Sequence, residues 1–469
     1  MTDLLTPVTE RIDAEFDASV ERLKELLRIP SISTDPAYRD RTKEAAEWCA
    51  GVLTDIGLDA SVRSTTGHPM VVAHDPGPGP DAPHLLYYAH YDVQPPDPLE
   101  LWEHDPFDPI IADSPHGGRI VARGACDDKG QMMTFLEAFR HWRAVHGTLP
   151  VRVTVLLEGE EESGSPSLEP FLEAHRSELA ADVAVVTDTG MWNIDTPAIT
   201  YMLRGLVYTD VTLHGPTHDL HSGMYGGAVV NPLNALARIL GGLHDDAGVV
   251  QIPGFYDDVR ELSADERERW RNLGFDEAAF LASAGLEVGM GEQGRSTLER
   301  TWCRPSCDVN GMWGGYTGEG AKTVIASEAH AKISCRLVAD QDPQAISAGL
   351  VRFLEDRTPP GCRWTFEPHG CNSAIRVPTD SPFLEAARDG LRRTFGTNAE
   401  LIGCGGSIPV VGSFQSLLGF DSLLVGFGLD DDRVHSPNEK FELRCYQMGI
   451  RAQAAMLESF ASVKSPVGS

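Results

Sequence analysis

Apolar residues recur with helical spacing at the start of the chain, and the pattern predicts a helix over about residues 7–28 with one face turned inward. A second helix is predicted over about residues 42–56, ending before Gly57, because glycine is typical of the position just after a helix. From there to about residue 190, helical stretches alternate with short apolar runs of strand length. This alternation predicts an α/β domain whose sheet is covered by helices on both faces. The apolar residues of the first helix are Ile12, Phe16, Val20, Leu23 and Leu27.

The pattern changes near residue 203. Residues 203–215 and 328–338 alternate apolar and polar positions, which is typical of half-buried strands, and helices are predicted over 232–241 and 343–356. These elements predict a smaller α+β unit with an antiparallel sheet. From about residue 382 the pattern of the first part returns. We therefore expect a mixed α/β domain made of residues 1–203 and 379–469, with a smaller α+β domain inserted over residues 204–378.

Length, charge and cysteine usage narrow the class of protein. At 469 residues the chain is too long for one compact core. The formal net charge of -30 argues against binding to nucleic acid or to an anionic membrane surface, since both need a basic patch. The nine cysteines are scattered without a CxxC pair, which favours a reducing compartment. The sequence shows neither a secretory signal nor an apolar run of membrane-spanning length, so we expect a cytoplasmic protein.

A cluster of carboxylates follows one apolar run, in the segment VLLEGEEESGS over residues 155–165. The like charges raise one another's pKa, and a bound divalent cation would relieve the repulsion. A solvated acidic turn is the alternative, and this segment alone favours neither explanation. The glutamates concerned are Glu158, Glu160, Glu161 and Glu162.

Four other stretches end in residues that bind metals. If the preceding strands are parallel, the carboxyl ends of the strands bring these side chains together at one edge of the sheet. Each residue alone has an ordinary structural explanation, such as Asp127 or Asp128 capping a helix that starts near Gly130. Five such coincidences favour a metal site, and imidazole and carboxylate without thiolate suit zinc, manganese or cobalt. The residues are His90, Asp92, Asp127, Asp128, Glu161, Glu162, Asp188 and His435.

The motifs HxD, GRGxxDDKG and EEESG, in this order, resemble the dinuclear metallopeptidase family of carnosinases, cytosolic nonspecific dipeptidases, aminoacylases and glutamate carboxypeptidases. The resemblance extends over essentially the whole chain. It implies that His90 and Asp188 bind one metal ion. It implies that Glu162 and His435 bind the other, that Asp127 bridges the two ions, and that the peptide bond after Asp127 is cis.

The resemblance also implies the chemistry. Three ligand carboxylates and two divalent ions leave one positive charge, which a metal-bridging hydroxide neutralises, and two adjacent ions acidify such a water. Glu161 is then the general base that takes the proton of the water and passes it to the leaving amine. Asp92 holds the imidazole of His90 in the tautomer that coordinates.

A second set of residues falls in the inserted domain. His221 in a glycine-rich loop and Arg336 near a strand end are by themselves more typical of structural roles. The resemblance implies instead that this domain is a lid through which two chains form a homodimer. His221 would reach the other subunit's site and stabilise the oxyanion. Arg336 would hold the terminal carboxylate of the substrate, with Ser407 and Thr323 completing the substrate-binding set.

Among functions, we expect hydrolysis of the peptide bond of dipeptides or short peptides. An N-acyl-amino-acid amidohydrolase of the aminoacylase, deacetylase or desuccinylase type is the alternative. Asp188, in place of glutamate, and the long segment 252–302 resemble the carnosinase-like dipeptidase group and favour peptides. A non-catalytic dimeric binding protein of the same fold is disfavoured, because every position of the implied site carries the expected residue type.

Overall fold

The computed structural model describes residues 3–464, which form two compact units. The first unit contains residues 3–201, 377–402 and 409–464, and the second contains residues 202–376 and 403–408. The sequence-based division, with boundaries at residues 203 and 379, stays a prediction. It differs at the glycine-rich segment 403–408, which belongs to the second unit, where Arg204 N donates to Gly406 O at 3.0 Å.

Strands and helices alternate through much of the first unit, and the two units together contain 18 strands and 13 α-helices within residues 3–464. The strands are β1 (Asp59–Arg63), β2 (Met70–Asp75), β3 (His84–His90), β4 (Ile110–Ala112), β5 (Arg119–Val121), β6 (Arg152–Glu158), β7 (Val183–Val186), β8 (Ala198–Leu203), β9 (Gly205–His214), β10 (Leu220–His221), β11 (Ser306–Gly314), β12 (Val324–Ile325), β13 (Glu328–Leu337), β14 (Arg363–Asn372), β15 (Ile375–Arg376), β16 (Glu400–Cys404), β17 (Ser422–Leu424) and β18 (Lys440–Glu442). The α-helices are α1 (Leu5–Ala14), α2 (Phe16–Leu27), α3 (Arg39–Ile56), α4 (Lys129–His146), α5 (Leu168–Ala174), α6 (Ser222–Tyr225), α7 (Pro232–Leu240), α8 (Ala264–Asn272), α9 (Glu277–Ser283), α10 (Pro343–Glu355), α11 (Pro382–Phe395), α12 (Pro409–Ser413) and α13 (Leu443–Phe460).

The main sheet is mixed, with parallel strands at its centre. Seven of its strands lie in the order β1, β2, β6, β3, β7, β17 and β8. Strand β3 pairs in parallel with β6 and β7, and β17 pairs in parallel with β7, whereas β2 is antiparallel to β6. The carboxyl ends of β6, β3, β7 and β17 therefore meet at one edge of the sheet.

Helices cover both faces of this sheet, as neighbouring residues of β3 show. Successive side chains of a strand point to opposite faces. The Tyr87 ring lies 5.1 and 4.9 Å from the rings of Phe135 and Phe139 on α4, whereas the Tyr88 ring lies 5.7 Å from that of Phe414, directly after α12. The predicted α/β class, with a mixed sheet between helices, is confirmed.

The N-terminal helix is divided, and the prediction of one continuous helix over residues 7–28 is wrong. Helices α1 and α2 are separated at Glu15, whose φ of -113° and ψ of 14° depart from helical values. The inward face persists through the break, since Ile12, Val20 and Leu23 are all buried. Apolar spacing reports this shared face, and it carries no information on a single non-helical residue.

The second unit is built on an antiparallel sheet. Its four strands lie in the order β11, β13, β9 and β14, and alternate residues of β9 and β13 are buried, as the sequence pattern predicts. Helices α7 and α10 contribute apolar residues to the core on the buried face. Helices α8 and α9 lie in the long segment 252–302.

Two further properties concern the helices and the cysteines. No helix in residues 3–464 combines the length and the apolar character that a bilayer crossing requires. All nine cysteines are free thiols.

Candidate metal centre and active site

Three of the predicted ligands lie at the carboxyl ends of parallel strands. His90 is the last residue of β3, Glu162 lies in a short turn after β6, and Asp188 follows β7. The expectation that all five follow strands of one sheet is wrong for Asp127. Asp127 precedes α4, after a strand of the separate sheet β18, β5 and β4, and His435 lies in the loop between β17 and β18. The start of a helix and a long loop therefore supply the two ligands that the strand ends do not carry directly.

The five side chains form two groups that share Asp127. Its Oδ1 lies 3.1 Å from His90 Nε2, and its Oδ2 lies 2.8 Å from His435 Nε2. His90 Nε2 is 4.0 Å from Asp188 Oδ2, and His435 Nε2 is 3.3 Å from Glu162 Oε2. Within each group the potential ligand atoms all lie within 4.8 Å of one another. Each oxygen of Asp127 therefore faces a different histidine, as expected of a bridging carboxylate.

Two buried atoms at the centre support a cation between these groups. His90 Nε2 lies near Asp127 Oδ1 but makes no hydrogen bond, and Glu162 Oε1 also has no hydrogen-bond partner in the described part of the chain. Leaving a buried polar atom unpaired is costly. Both atoms are of the types that bind zinc and similar divalent ions. The residues present therefore fit a metal centre.

The protonation behaviour of the cluster points the same way. Burial, reinforced by Asp127, raises the pKa of Asp188 to about 7. Burial, reinforced by Asp188 and Glu162 and opposed by His90, raises the pKa of Glu161 to about 9. Hydrogen bonds to Asp127 and Glu162 raise the pKa of His435 to about 10. The protein alone thus holds protons at this site, and divalent cations would take over their charge.

Asp92 connects two of the ligand segments. His90 Nδ1 lies 3.1 Å from the Asp92 carbonyl oxygen and 3.4 Å from Asp92 Oδ1, which leaves Nε2 directed into the cluster. The Asp92 carboxylate also accepts the backbone N–H of Glu161 at 3.3 Å and that of Glu162 at 3.1 Å. It therefore orients the imidazole and fixes the acidic turn together.

Only half of the acidic cluster is available for chemistry. The hydroxyl of Tyr88 donates to Glu158 Oε2 at 2.6 Å. The carboxylate of Glu160 accepts the N–H of His68 at 2.8 Å and that of Ser167 at 3.1 Å. These two glutamates are thus engaged in structural hydrogen bonds. Glu161 and Glu162 remain, one outside and one inside the two groups of potential ligands.

The DDKG motif places three functions on consecutive residues. The peptide bond between Asp127 and Asp128 is cis, as the family resemblance implies. Asp128 Oδ2 accepts the backbone N–H of His90 at 3.2 Å. Lys129 Nζ donates to Ile29 O at 2.6 Å, and to another carbonyl at the end of α2. The motif therefore presents Asp127, aligns His90 and anchors the start of α4.

Sequence reasoning missed two residues that contact the predicted set. Gln94 Nε2 donates to Glu162 Oε2 at 2.7 Å. Gln94 lies two residues after Asp92 in the HYDVQP stretch, and this proximity was the only signal of its role. In the second unit, burial and the neighbouring Arg336 lower the pKa of Arg204 to about 10. Nothing in the sequence near Arg204 indicated that it would lie beside Arg336.

The predicted residues of the second unit fall into two pairs. His221 ends β10 and caps α6 at the surface, where its Nδ1 accepts the N–H of Gly223 at 3.0 Å. The carbonyl of Thr323 accepts the next backbone N–H, that of Ser222, at 3.1 Å. Arg336 Nη1 donates to Ser407 Oγ at 3.1 Å. Ser407 Oγ in turn donates to the carbonyl of Arg204 at 2.5 Å. The catalytic and substrate-binding roles of these residues stay predictions.

A sheet edge carrying two histidine and carboxylate groups around a shared aspartate is typical of metal-dependent hydrolases that use two ions. Comparison with known proteins is in accord with this class. Residues 86–459 match the sequence profile of the peptidase family M20/M25/M40. The chain belongs to this family.

Similar proteins extend over nearly the full chain. The Cys-Gly metallodipeptidase dug1 of Schizosaccharomyces pombe is 30% identical over 474 residues, which cover 98% of this chain and 99% of the relative. The Beta-Ala-His dipeptidase of Homo sapiens is 30% identical over 478 residues, covering 98% and 93%. The crystal structure of human carnosine dipeptidase 1 superimposes with a TM-score of 0.85 at 29% identity, covering 98% of this chain and 100% of that one. The predicted resemblance to carnosinase-like dipeptidases is confirmed.

Proposed function

We propose that this protein is a dipeptidase that binds two divalent metal ions, zinc in preference to manganese or cobalt. One ion would be held by His90, Asp127 and Asp188, and the other by Asp127, Glu162 and His435. The observation that carries the proposal is the position of Asp127, whose two oxygens lie 3.1 and 2.8 Å from the Nε2 atoms of two different histidines.

Two ions in such a centre supply the Lewis acidity that polarises a peptide carbonyl and acidifies water. Glu161 accepts the proton of the attacking water and delivers it to the leaving amine. Its place supports this role, because it adjoins Glu162 but belongs to neither ligand group, and its backbone N–H is held by Asp92. Burial raises its pKa to about 9, so its carboxylate takes up a proton readily.

We further propose that the second unit binds the terminal carboxylate of the substrate and stabilises its oxyanion. Arg336 would hold the terminal carboxylate as a two-pronged donor together with Ser407, and Thr323 would complete the substrate-binding set. Its contact with the Ser407 hydroxyl and its closeness to Arg204 support this, because adjacent guanidinium groups favour an anion. In the proposed homodimer, the partner subunit's His221 stabilises the oxyanion of the reacting carbonyl.

Dipeptides are favoured over N-acyl amino acids as substrates. The two similar proteins named above are a Cys-Gly metallodipeptidase and a Beta-Ala-His dipeptidase, and each covers nearly the whole chain. The amidohydrolase alternative has no comparable support. The binding-protein alternative conflicts with the complete set of ligand-type residues around Asp127. We propose a cytoplasmic location, which the nine free thiols support.

A substrate and metal panel tests this function. Protein stripped of metal with a chelator is supplied with zinc or manganese and assayed on Cys-Gly, β-Ala-His, N-acetyl and N-succinyl amino acids. We expect metal to restore hydrolysis of the dipeptides. Faster hydrolysis of the N-acyl compounds would assign the protein to the amidohydrolases. Failure to hydrolyse any of the four with either metal would favour the binding protein.

A further inference from the structure

A buried glutamate, Glu439, contacts the loop that carries Asp127. It lies directly before β18, four residues after His435, and its side chain is 0% exposed. Its Oε1 accepts the backbone N–H of Cys126 at 2.8 Å and that of Asp127 at 3.0 Å. Its Oε2 accepts the N–H of Gly124 at 2.9 Å and Nη1 of Arg123 at 2.8 Å. One side chain thus receives four hydrogen bonds from a segment of five residues.

Three of these bonds satisfy backbone N–H groups, those of Gly124, Cys126 and Asp127, that no strand or helix pairs. Residues 122–127 lie between β5 and α4, so their backbone N–H groups are outside any sheet ladder or helix. Buried N–H groups need an acceptor, and a carboxylate is the side chain that only accepts. Arg123 is 1% exposed and supplies the opposite charge. The loop around Asp127 is therefore folded onto the Glu439 carboxylate.

Glu439 also belongs to the segment that carries His435. This segment is held in an uncommon conformation, since His435 has a φ of +59° and Asn438 a φ of +61°. The side chain of Asn438 fixes it from the other side by accepting Glu103 N at 2.8 Å and donating to Leu101 O at 2.9 Å. Glu439 therefore links two ligand segments that lie 308 positions apart, from residue 127 to residue 435.

We propose that Glu439 is a positioning residue that holds the backbone of Asp127 in register with the His435 segment, so that Asp127 can serve both metal ions. Glu439 itself does not contact substrate or metal. The inference rests on the proposed function, because it assumes that the two groups bind metal. It assigns a role to Glu439, which is not one of the proposed metal ligands.

The test replaces Glu439 with glutamine, which keeps the shape but turns one acceptor into a donor. In E439Q an NH₂ group must face either the Gly124 N–H or the Cys126 and Asp127 N–H pair. We expect Mn²⁺ affinity to fall about 10- to 100-fold, as for other residues that support metal ligands. We also expect the EPR signal of spin-coupled Mn²⁺ pairs to weaken, because Asp127 no longer bridges them.

The matched control is E137Q. Glu137 is also 0% exposed and also pairs with an arginine, Arg22, at 2.5 Å, but it lies in the third turn of α4. At a rise of about 1.5 Å per residue it is roughly 12 Å along the helix from its start. E137Q should lower the unfolding temperature and leave Mn²⁺ affinity and spin coupling unchanged. A purely structural role for Glu439 predicts the same behaviour for E439Q, and that result would overturn the inference.

Two further measurements keep the test decisive. If E439Q does not fold, E439D replaces it, since aspartate keeps the charge opposite Arg123 but is shorter by one methylene group. Wild-type Mn²⁺ affinity and coupling in folded E439D would also overturn the inference. Failure of the wild-type protein to hydrolyse dipeptides with either zinc or manganese would instead refute the proposed function, so the two failures are distinguishable.

Discussion

Replacement of Glu161 by glutamine tests the proposed proton transfer directly. Glu161 belongs to neither group of potential ligands, so the variant should retain its metal. An amide cannot take a proton from water, and general-base catalysis contributes about 10²- to 10⁴-fold to rate. At about 1.4 kcal/mol for each factor of ten, kcat should fall by the equivalent of about 3 to 5 kcal/mol. KM should change little, because Glu161 acts on the reacting water.

Stability separates this effect from misfolding, because the same substitution should not destabilise the metal-free protein. Burial raises the pKa of Glu161 from 4.5 to about 9 in the folded state, so at pH 7 folding requires uptake of a proton. Glutamine is neutral in both states and avoids this requirement. We therefore expect metal-free E161Q to unfold at the same temperature as the wild type or higher.

The assay compares kcat, metal content and thermal unfolding of E161Q with those of E160Q. The neighbouring Glu160 accepts two backbone N–H groups, so its replacement should cost about 1 to 3 kcal/mol of stability. Turnover of E160Q should persist below its unfolding temperature. Retained turnover in metal-loaded E161Q would refute the assignment of Glu161 as the base. Loss of metal from E161Q would mean that Glu161 is a ligand instead.

Three other predictions concern charge, substrate and assembly. The metal-free protein should become less stable as the pH rises from about 5 to 9, because Asp188 and Glu161, with pKa values of about 7 and 9, hold protons that the unfolded chain releases. Thermal unfolding with a chelator and with zinc should show that stabilisation by metal grows over this range, and a metal-free stability that rises instead would contradict the pKa shifts. Arg336→Lys should raise KM for Cys-Gly roughly tenfold with a smaller effect on kcat, since lysine cannot make a two-pronged contact, and an unchanged KM would remove Arg336 from carboxylate binding. Mixing inactive His221→Ala and E161Q subunits should restore part of the turnover, because a mixed dimer has one site with Glu161 and the partner subunit's His221. Continued inactivity of verified mixed dimers would place His221 in its own subunit's site or outside the mechanism.

Hydrophobic periodicity predicted the elements of this protein better than it predicted their junctions. The alternation in β9 and β13 predicted half-buried strands, and alternate residues of both strands are buried in the core to which α7 and α10 contribute. The same kind of pattern failed at Glu15, where α1 and α2 separate without any change in the inward face. The segment 403–408 was expected to follow the returning α/β pattern, yet a backbone hydrogen bond joins it to Arg204. Long-range backbone pairing of this kind leaves no periodic trace.

In the candidate site, the motifs indicated which side chains were of metal-binding type, but strand geometry did not explain the position of every one. Side chains that face the centre, such as Asp127 and Glu162, were evident because their chemistry is unusual at the ends of apolar runs. Convergence at a parallel sheet edge then explains His90, Glu162 and Asp188. Asp127 reaches the centre from a helix start that follows a strand of another sheet, and His435 reaches it from the long loop that leaves β17. Strand geometry therefore does not explain Asp127, and the roles of all five residues stay predictions.

Residues that act through backbone groups were the hardest to predict. Glu439 forms its hydrogen bonds with N–H groups of Gly124, Cys126 and Asp127, and a backbone N–H gives no residue-type signal. In the sequence, a glutamate beside a lysine has many ordinary explanations. The backbone N–H groups that donate to its carboxylate become evident only in the folded structure. The acidic turn illustrates the converse, since Glu160 was a candidate for chemistry by composition until its two backbone contacts were seen. A cluster of like charges therefore indicates that a site exists. Whether a given carboxylate binds metal, transfers a proton or accepts backbone hydrogen bonds depends on the donors that surround it.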